Sequence, residues 1–300
     1  MNTLTVATLN LQDGKRLDLV PSLLDQTDRS LDILSFQEGK GWDHDGQARR
    51  YQAEDLLAPL GLDRSFLTRS TRGTLHELVF VNSARIRPVQ HWTPDLPDVF
   101  HDQIGWAHFQ VDGLDPVLAV KSVQWAHWSG DVRLDEAQKL TRYAAPGQLA
   151  IIAGDFNSIW PDCQDRGHQE FEPDWSLRPP HKRLHKTLPP GARPDGRTVS
   201  DRRALTVLAE AGFRSAGCLA DDMTVTVNDH IDDGQGARID HIALSPPLAA
   251  AAVPGSYGVN VSAIGDQASD HRLVWVELDL HSTPSTPTGA PGRPPTRRTR

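Results

Sequence analysis

The sequence predicts one α/β domain of the α+β kind, built on mostly antiparallel sheets flanked by helices. Three observations predict it. Short apolar runs closed by glycine or polar turn residues recur along the chain as strand signals. Two pairs of them follow one another as hairpins, 75–81 with 86–91 across Asn82-Ser83 and 106–111 with 117–120 across Asp112-Gly113, which favours antiparallel sheets over a parallel, doubly wound one. Between these runs lie segments with helical spacing of apolar residues, at 15–26, 47–60, 133–143 and 201–211.

A chain of 300 residues with 38% hydrophobic content can bury one large core, and its organisation assigns residues 1–280 to a single domain. No apolar run reaches the roughly 18 to 20 residues that span a bilayer, and the N-terminus lacks a basic region followed by an apolar core. Cys163 and Cys218 stand far apart without metal-ligand spacing, so neither a disulfide framework nor a zinc cluster is expected. These features predict a cytoplasmic monomer. The net charge of −8 argues against purely electrostatic binding to nucleic acid, yet it suits a site that gathers carboxylates around a cation.

Taken in order, 4–9 alternates as a strand ending at Asn10, and 15–26 reads as a helix shortened or kinked by Pro21. A buried strand at 31–36 runs into Gln37-Glu38-Gly39, and the helix at 47–60 stops at Pro59 and Gly61. After the two hairpins and the helix at 133–143 comes Gln148 to Ser158, an apolar strand closed by Gly154-Asp155-Phe156-Asn157-Ser158. If extended geometry persists there, Asp155 and Asn157 project to one side and Phe156 to the other. Residues 160–200 lack any sustained apolar period and read as an irregular insertion. Gly212 caps the helix at 201–211, 224–227 reads as an ordinary strand, and strands at 239–244 and 272–278 follow. The Pro/Thr/Gly/Arg composition of 281–300 predicts a disordered basic tail.

Five strands thus present polar groups at one terminus: Asn10, Glu38, Asp155 with Asn157, Asp240, and Asp270-His271. One such end is ordinary turn chemistry; five suggest a sheet edge lined for a metal-centred site. A hard divalent ion takes carboxylate, amide and water oxygens, with substrate phosphate completing its shell. Glu38 is the first choice as ligand, assisted by Asn10. Cleavage of a phosphate ester also needs a water oriented for in-line attack and donors for the charge that grows on the non-bridging oxygens, roles open to Asp155, Asn157 and His271.

The ordered set Thr8-Leu9-Asn10, Phe36-Gln37-Glu38, Gly154-Asp155-Phe156-Asn157-Ser158, Arg238-Ile239-Asp240-His241 and Ser269-Asp270-His271 resembles the endonuclease/exonuclease/phosphatase superfamily, which includes DNase I, abasic-site endonucleases, sphingomyelinases and inositol polyphosphate 5-phosphatases. The resemblance spans residues 4–278. It implies a four-layer α/β/β/α sandwich and a Mg2+-dependent phosphoesterase, with Mn2+ as a substitute ion. It also implies metal binding by Asn10 and Glu38, water handling by Asp155, transition-state contact by Asn157 and metal or water support from Asp240. His271 would act on the phosphate, kept charged by Asp270. Members often carry a histidine or tyrosine after the strand that corresponds to 117–120. Here that position reads as Lys121, with His127 in the following loop as the alternative phosphate contact.

Substrate signals are fewer. Trp125, His127 and Trp128 form an aromatic and basic loop, and Trp160, Trp175, His181, Lys182, Arg183, His185 and Lys186 lie in the insertion. Such interleaving suits base stacking with phosphate contact, so nucleic acid is a candidate partner; tryptophans that simply pack the loop down fit Trp160 and Trp175 equally well. The readings in order are a phosphodiesterase or nuclease, a small-molecule or lipid-headgroup phosphatase on the same centre, and a non-catalytic binding module that keeps the fold.

Overall fold

The computed structural model describes residues 3–70, 73–90, 105–162, 169–193, 195–227 and 236–282. Its strands are β1 (Thr3–Asn10), β2 (Ile33–Gln37), β3 (Arg64–Thr68), β4 (Glu77–Val81), β5 (Ile86–Gln90), β6 (Gly105–Val111), β7 (Leu118–Gln124), β8 (Leu149–Asp155), β9 (Arg214–Ser215), β10 (Asp240–Leu244), β11 (Gly258–Val259) and β12 (Val274–Asp279). They form two six-stranded sheets, ordered β11-β12-β1-β2-β4-β3 and β5-β6-β7-β8-β10-β9. Antiparallel pairing dominates, and the parallel pairs β1–β2 and β7–β8 make each sheet mixed.

Alternation along the strands builds three cores. Val6, Ile33, Val79, Val120, Ile151, Ile242 and Val276 fill the space between the sheets. Their chain neighbours turn outward. Ala7, Leu34 and Phe80 meet α1 (Val20–Asp25) and α2 (Ala48–Leu57) through Leu23, Leu24, Ala53 and Leu57. On the opposite side Ala119, Ile152 and Ala243 meet α3 (Gly130–Leu140) and α5 (Arg203–Ala211) through Leu140, Leu205 and Leu208. Three cores between four layers give the α/β/β/α sandwich. The short helices α4 (Pro180–Arg183), α6 (Ala216–Ala220), α7 (Pro246–Ala250) and α8 (Ala263–Ala268) complete the described elements. None of the helices is long and apolar enough to cross a membrane.

Four local expectations are corrected. The run 86–91 does not pair with 75–81: β4 already has β2 and β3 on its two edges, so β5 joins β6 in the second sheet, and residues 82–85 carry the chain between sheets. That crossing is pinned at Asp32, which accepts from Arg85 Nη1 at 2.7 Å while its own carbonyl accepts from Asn82 N at 3.0 Å. The 15–26 helix is split into a 3-10 turn at Leu17–Leu19 and α1, because Pro21 sits in the first turn of α1, where its missing N–H costs nothing. Residues 224–227 form no strand; Val227 makes only isolated bridges to Ala237 and His271. Cys218, finally, is disulfide-bonded, and the other cysteine of the sequence, Cys163, lies outside the described residues. The disulfide at Cys218 lends no support to a reducing compartment. The tail from residue 283 also lies outside the described residues.

Candidate active site

Strand direction explains why the polar ends meet. β1 and β2 run parallel in one sheet, β7 and β8 in the other, and all four end at one edge of the sandwich. β10 and β12 run antiparallel to β8 and β1, so their beginnings come to the same edge, with Asp240 directly opposite Asp155. Beneath the edge a buried polar staple joins the sheets: Gln37 Nε2 donates to Ser122 Oγ at 3.0 Å, and Ser122 Oγ donates to the Phe36 carbonyl at 3.1 Å.

Gly154 sets the end of β8. Its φ is +151°, and a Cβ built there would lie 2.0 Å from the Val123 carbonyl oxygen, so only glycine lets β7 approach this closely. The chain then makes an Asx turn, with Asn157 N donating to Asp155 Oδ1 at 2.8 Å and Asn157 at φ +47°. The stretch therefore forms a turn, and that turn lies at the edge where the polar ends meet. Phe156 points the other way, edge-on to Trp125 with ring centroids 4.7 Å apart.

His271 lies between two carboxylates. Its Nδ1 is 2.9 Å from Asp240 Oδ2, and its Nε2 is 4.0 Å from Asp155 Oδ2. Burial alone would push the imidazole down, but the carboxylates of Asp240, which is hydrogen-bonded to it, Asp155 and Asp270 together outweigh burial and hold it up to about 10. Burial raises Asp155 to about 7, with Asp240 adding to the rise and the charges of His271 and Lys186 opposing it. Asp155, Asp240 and His271 bring one ligand atom each within 4.8 Å of one another, close enough to hold a metal ion. Asp270 is not the hydrogen-bonding partner of His271; that partner is Asp240. Asp270 instead lies in the field of Glu38. Burial raises its carboxyl, the charge of His271 lowers it, and Glu38 raises it further.

Glu38, at φ +61°, occupies a conformation that costs a side-chain-bearing residue about 1–2 kcal/mol. Its Oε1 accepts from Gln124 Nε2 at 2.7 Å and Asn10 Nδ2 at 3.1 Å, and its Oε2 accepts from Asp13 N at 3.0 Å. Asn10 also donates to Asp155 Oδ2 at 3.4 Å, while its Oδ1 accepts from Gln12 N at 3.0 Å. Asn10 thus ties Glu38 to Asp155 through its NH2 rather than offering the oxygen expected of a ligand.

The structure brings Asn10, Glu38, Asp155, Asn157, Asp240, Asp270 and His271 together and leaves Lys121 out. Strand β7 continues to Gln124, four residues past the expected end, so the rim residue is Gln124. Lys121 faces the helical layer, 1% exposed, with Nζ 4.1 Å from the Tyr143 ring centroid, and burial pushes it down to about 5. His127 is exposed in the loop after β7, within electrostatic reach of His185. Trp160 and Trp175 are buried and pack the insertion down. Sequence reading missed Gln124, and it read Lys186 only as part of a basic loop; in the structure Lys186 Nζ donates to Asn157 Oδ1 at 2.5 Å.

No family model matches the sequence, and no curated protein matches it significantly. Solved structures do match. An AP endonuclease from Archaeoglobus fulgidus is 19% identical over 92% of this chain and 99% of its own, with a TM-score of 0.62. A 3'-5' exonuclease from Neisseria meningitidis is 19% identical over 92% and 100%, with a TM-score of 0.60. A mannosyl-6-phosphatase from Bacteroides thetaiotaomicron is 18% identical over 92% and 99%, with a TM-score of 0.57. The chain shares the DNase I-like fold of these proteins.

Proposed function

We propose that this chain, which has the fold of the endonuclease/exonuclease/phosphatase proteins, hydrolyses phosphate esters by attack of water at the sheet edge, with a phosphodiester or nucleic acid as the first substrate class. The observation that carries the reading is the imidazole of His271, 2.9 Å from Asp240 and 4.0 Å from Asp155, beside the separate carboxylates Glu38 and Asp270. The neighbours named as nucleases and as a phosphatase support the same chemistry.

Asp155 is the base. A buried carboxylate raised to about 7 is poised to take a proton from water near neutral pH. His271, kept charged by Asp240, offers a cation and an N–H to the phosphate oxygens, which is the electrostatic stabilisation that a transition state gathering negative charge requires. Asp240 is its partner in this scheme rather than a metal ligand. A divalent ion, Mg2+ or Mn2+, would be held by Glu38 and Asp270: both are carboxylates, the charge of Glu38 raises the cost of ionising Asp270, and Gln124, Asn10 and Asp13 N hold Glu38 in place. The Asp155, Asp240 and His271 group suits the ion less well, because an imidazolium already supplies the positive charge there. Such an ion would polarise the phosphoryl oxygen as a Lewis acid.

The second reading, a phosphatase of small molecules or lipid headgroups, is supported by the neighbour named as a mannosyl-6-phosphatase. Activity with Mg2+, Mn2+ and EDTA on plasmid DNA, single-stranded DNA, RNA, inositol phosphates and sphingomyelin separates the two. Release of phosphate from monoesters alone selects the phosphatase. Absence of hydrolysis throughout refutes both and returns the non-catalytic binding module.

A further inference from the structure

We infer that Lys186, from the insertion, contacts the scissile phosphoryl group and supplies the cation that β7 does not. The inference rests on the phosphoester reading above, and four observations carry it. The first is the state of Asn157. Its Nδ2 donates to Asp155 Oδ2 at 2.9 Å and to the Trp125 carbonyl at 3.1 Å, so the amide that would greet a phosphate is turned to a carboxylate and a carbonyl. The second is position: Lys186 Nζ lies 2.5 Å from Asn157 Oδ1, and its charge lowers Asp155. The third is β7 itself, which offers a neutral amide, Gln124, at the rim and keeps Lys121 under Tyr143.

The fourth is the anchoring of Lys186, which a lysine on a loose loop would lack. Arg133, 1% exposed, donates from Nη2 to the His185 carbonyl at 2.9 Å and from Nη1 to the Ala126 carbonyl at 2.9 Å, clamping the insertion to the loop after β7. Asp201 N donates to the Lys186 carbonyl at 2.9 Å, and Ser158 Oγ donates to the Asp201 carbonyl at 3.0 Å. The turn that follows Asp155 and the segment that carries Lys186 are therefore one hydrogen-bonded unit. An ammonium fixed there stabilises charge on a non-bridging oxygen without reorganising when the substrate arrives.

The test uses the full chain with Mg2+ and bis(p-nitrophenyl) phosphate, comparing wild type, Lys186→Gln and Lys186→Arg, with inorganic phosphate as competitive inhibitor. Lys186→Gln is expected to lower kcat by roughly 10²-fold, the scale of one lost transition-state donor, and to weaken phosphate inhibition by about tenfold. Lys186→Arg keeps the charge and retains most of both. Unchanged kcat and unchanged phosphate inhibition in Lys186→Gln would overturn the inference while leaving the phosphoester reading intact. If wild type hydrolyses nothing, the phosphoester reading fails instead. Calorimetric binding of inorganic phosphate to wild type and Lys186→Gln then decides, with tenfold weaker binding supporting the contact and equal binding overturning it.

Discussion

Lys121 allows a test in which two effects oppose one another. Its Nζ sits 4.1 Å from the Tyr143 ring centroid, a geometry that favours a charged amine, while its burial at 1% exposure favours a neutral one. A desolvated cation–π contact is worth about 2 kcal/mol, and taking an ammonium out of water costs several, so burial prevails and the amine falls from 10.5 to about 5. The unfolded chain then binds a proton that the folded chain refuses everywhere between those values. Stability must therefore rise with pH across that window, by about 1.36 kcal/mol per pH unit from this group. At pH 7 the penalty is of order 5 kcal/mol. Lys121→Met keeps an unbranched chain of similar length against Tyr143 and removes the titration. Urea unfolding at pH 6 and pH 8.5 should show the variant more stable than wild type at both, with the gain larger at pH 6 by about 3 kcal/mol. Groups that do not feel Lys121 cancel in that double difference, and His108, held down by burial and then by the charge of Lys121, adds a smaller contribution. An equal gain at both values would mean that Lys121 is charged in the folded protein and would refute the argument.

Three further outcomes follow from the same geometry. Gly154→Ala drives a Cβ into the Val123 carbonyl at 2.0 Å and should cost about 3 kcal/mol or more in urea unfolding; a loss below about 1 kcal/mol would contradict the close approach of β7. The pH profile of kcat/KM should rise through about 7 as Asp155 releases its proton and fall near 10 as His271 loses its own, a pair of values that belongs to the coupled cluster; a flat profile would remove Asp155 and His271 from the chemistry. Asp240→Asn takes away the carboxylate that holds His271 charged, so the alkaline limb should move to lower pH and the rate at pH 8.5 should drop roughly 10²-fold, whereas an unmoved limb would assign the charge of His271 to another partner.

Legibility in the sequence followed the physics of each feature. The sheets and their polar edge could be read because apolar strands with Asn10, Glu38 and Asp155 at their ends and Asp240 and Asp270-His271 at their starts leave a strong local signal, and the four layers followed from the family resemblance of the ordered motifs. Which carboxylate serves His271 could not, since adjacency suggests Asp270 while the strand register puts Asp240 opposite Asp155 and against the imidazole. Lys121 was misjudged because the polar run Lys121-Ser122 looked like the end of a strand. In the structure β7 continues through it, with Ser122 and Gln124 facing the other sheet and the site while Lys121 faces the helices. Strand β3 was missed altogether, since polar Arg64, Ser65 and Thr68 mask its pattern; Ser65 is satisfied by Glu54, whose Oε1 accepts from its N and Oγ at 2.8 and 2.6 Å. The crossing at 82–85 and the placing of Lys186 against Asn157 both depend on contacts between distant segments, which no local pattern records.

The central claim, that the Asp155, Asp240 and His271 cluster beside Glu38 and Asp270 hydrolyses phosphate esters, is tested most directly by one comparison. Hydrolysis of bis(p-nitrophenyl) phosphate with Mg2+ is measured for wild type and for Asp155→Asn, which keeps the shape of the side chain and removes the base, with urea unfolding of both as a control for folding. Wild type is expected to turn over in a way that EDTA abolishes, and the folded variant to lose at least about 10²-fold. Equal turnover by the two proteins would contradict it.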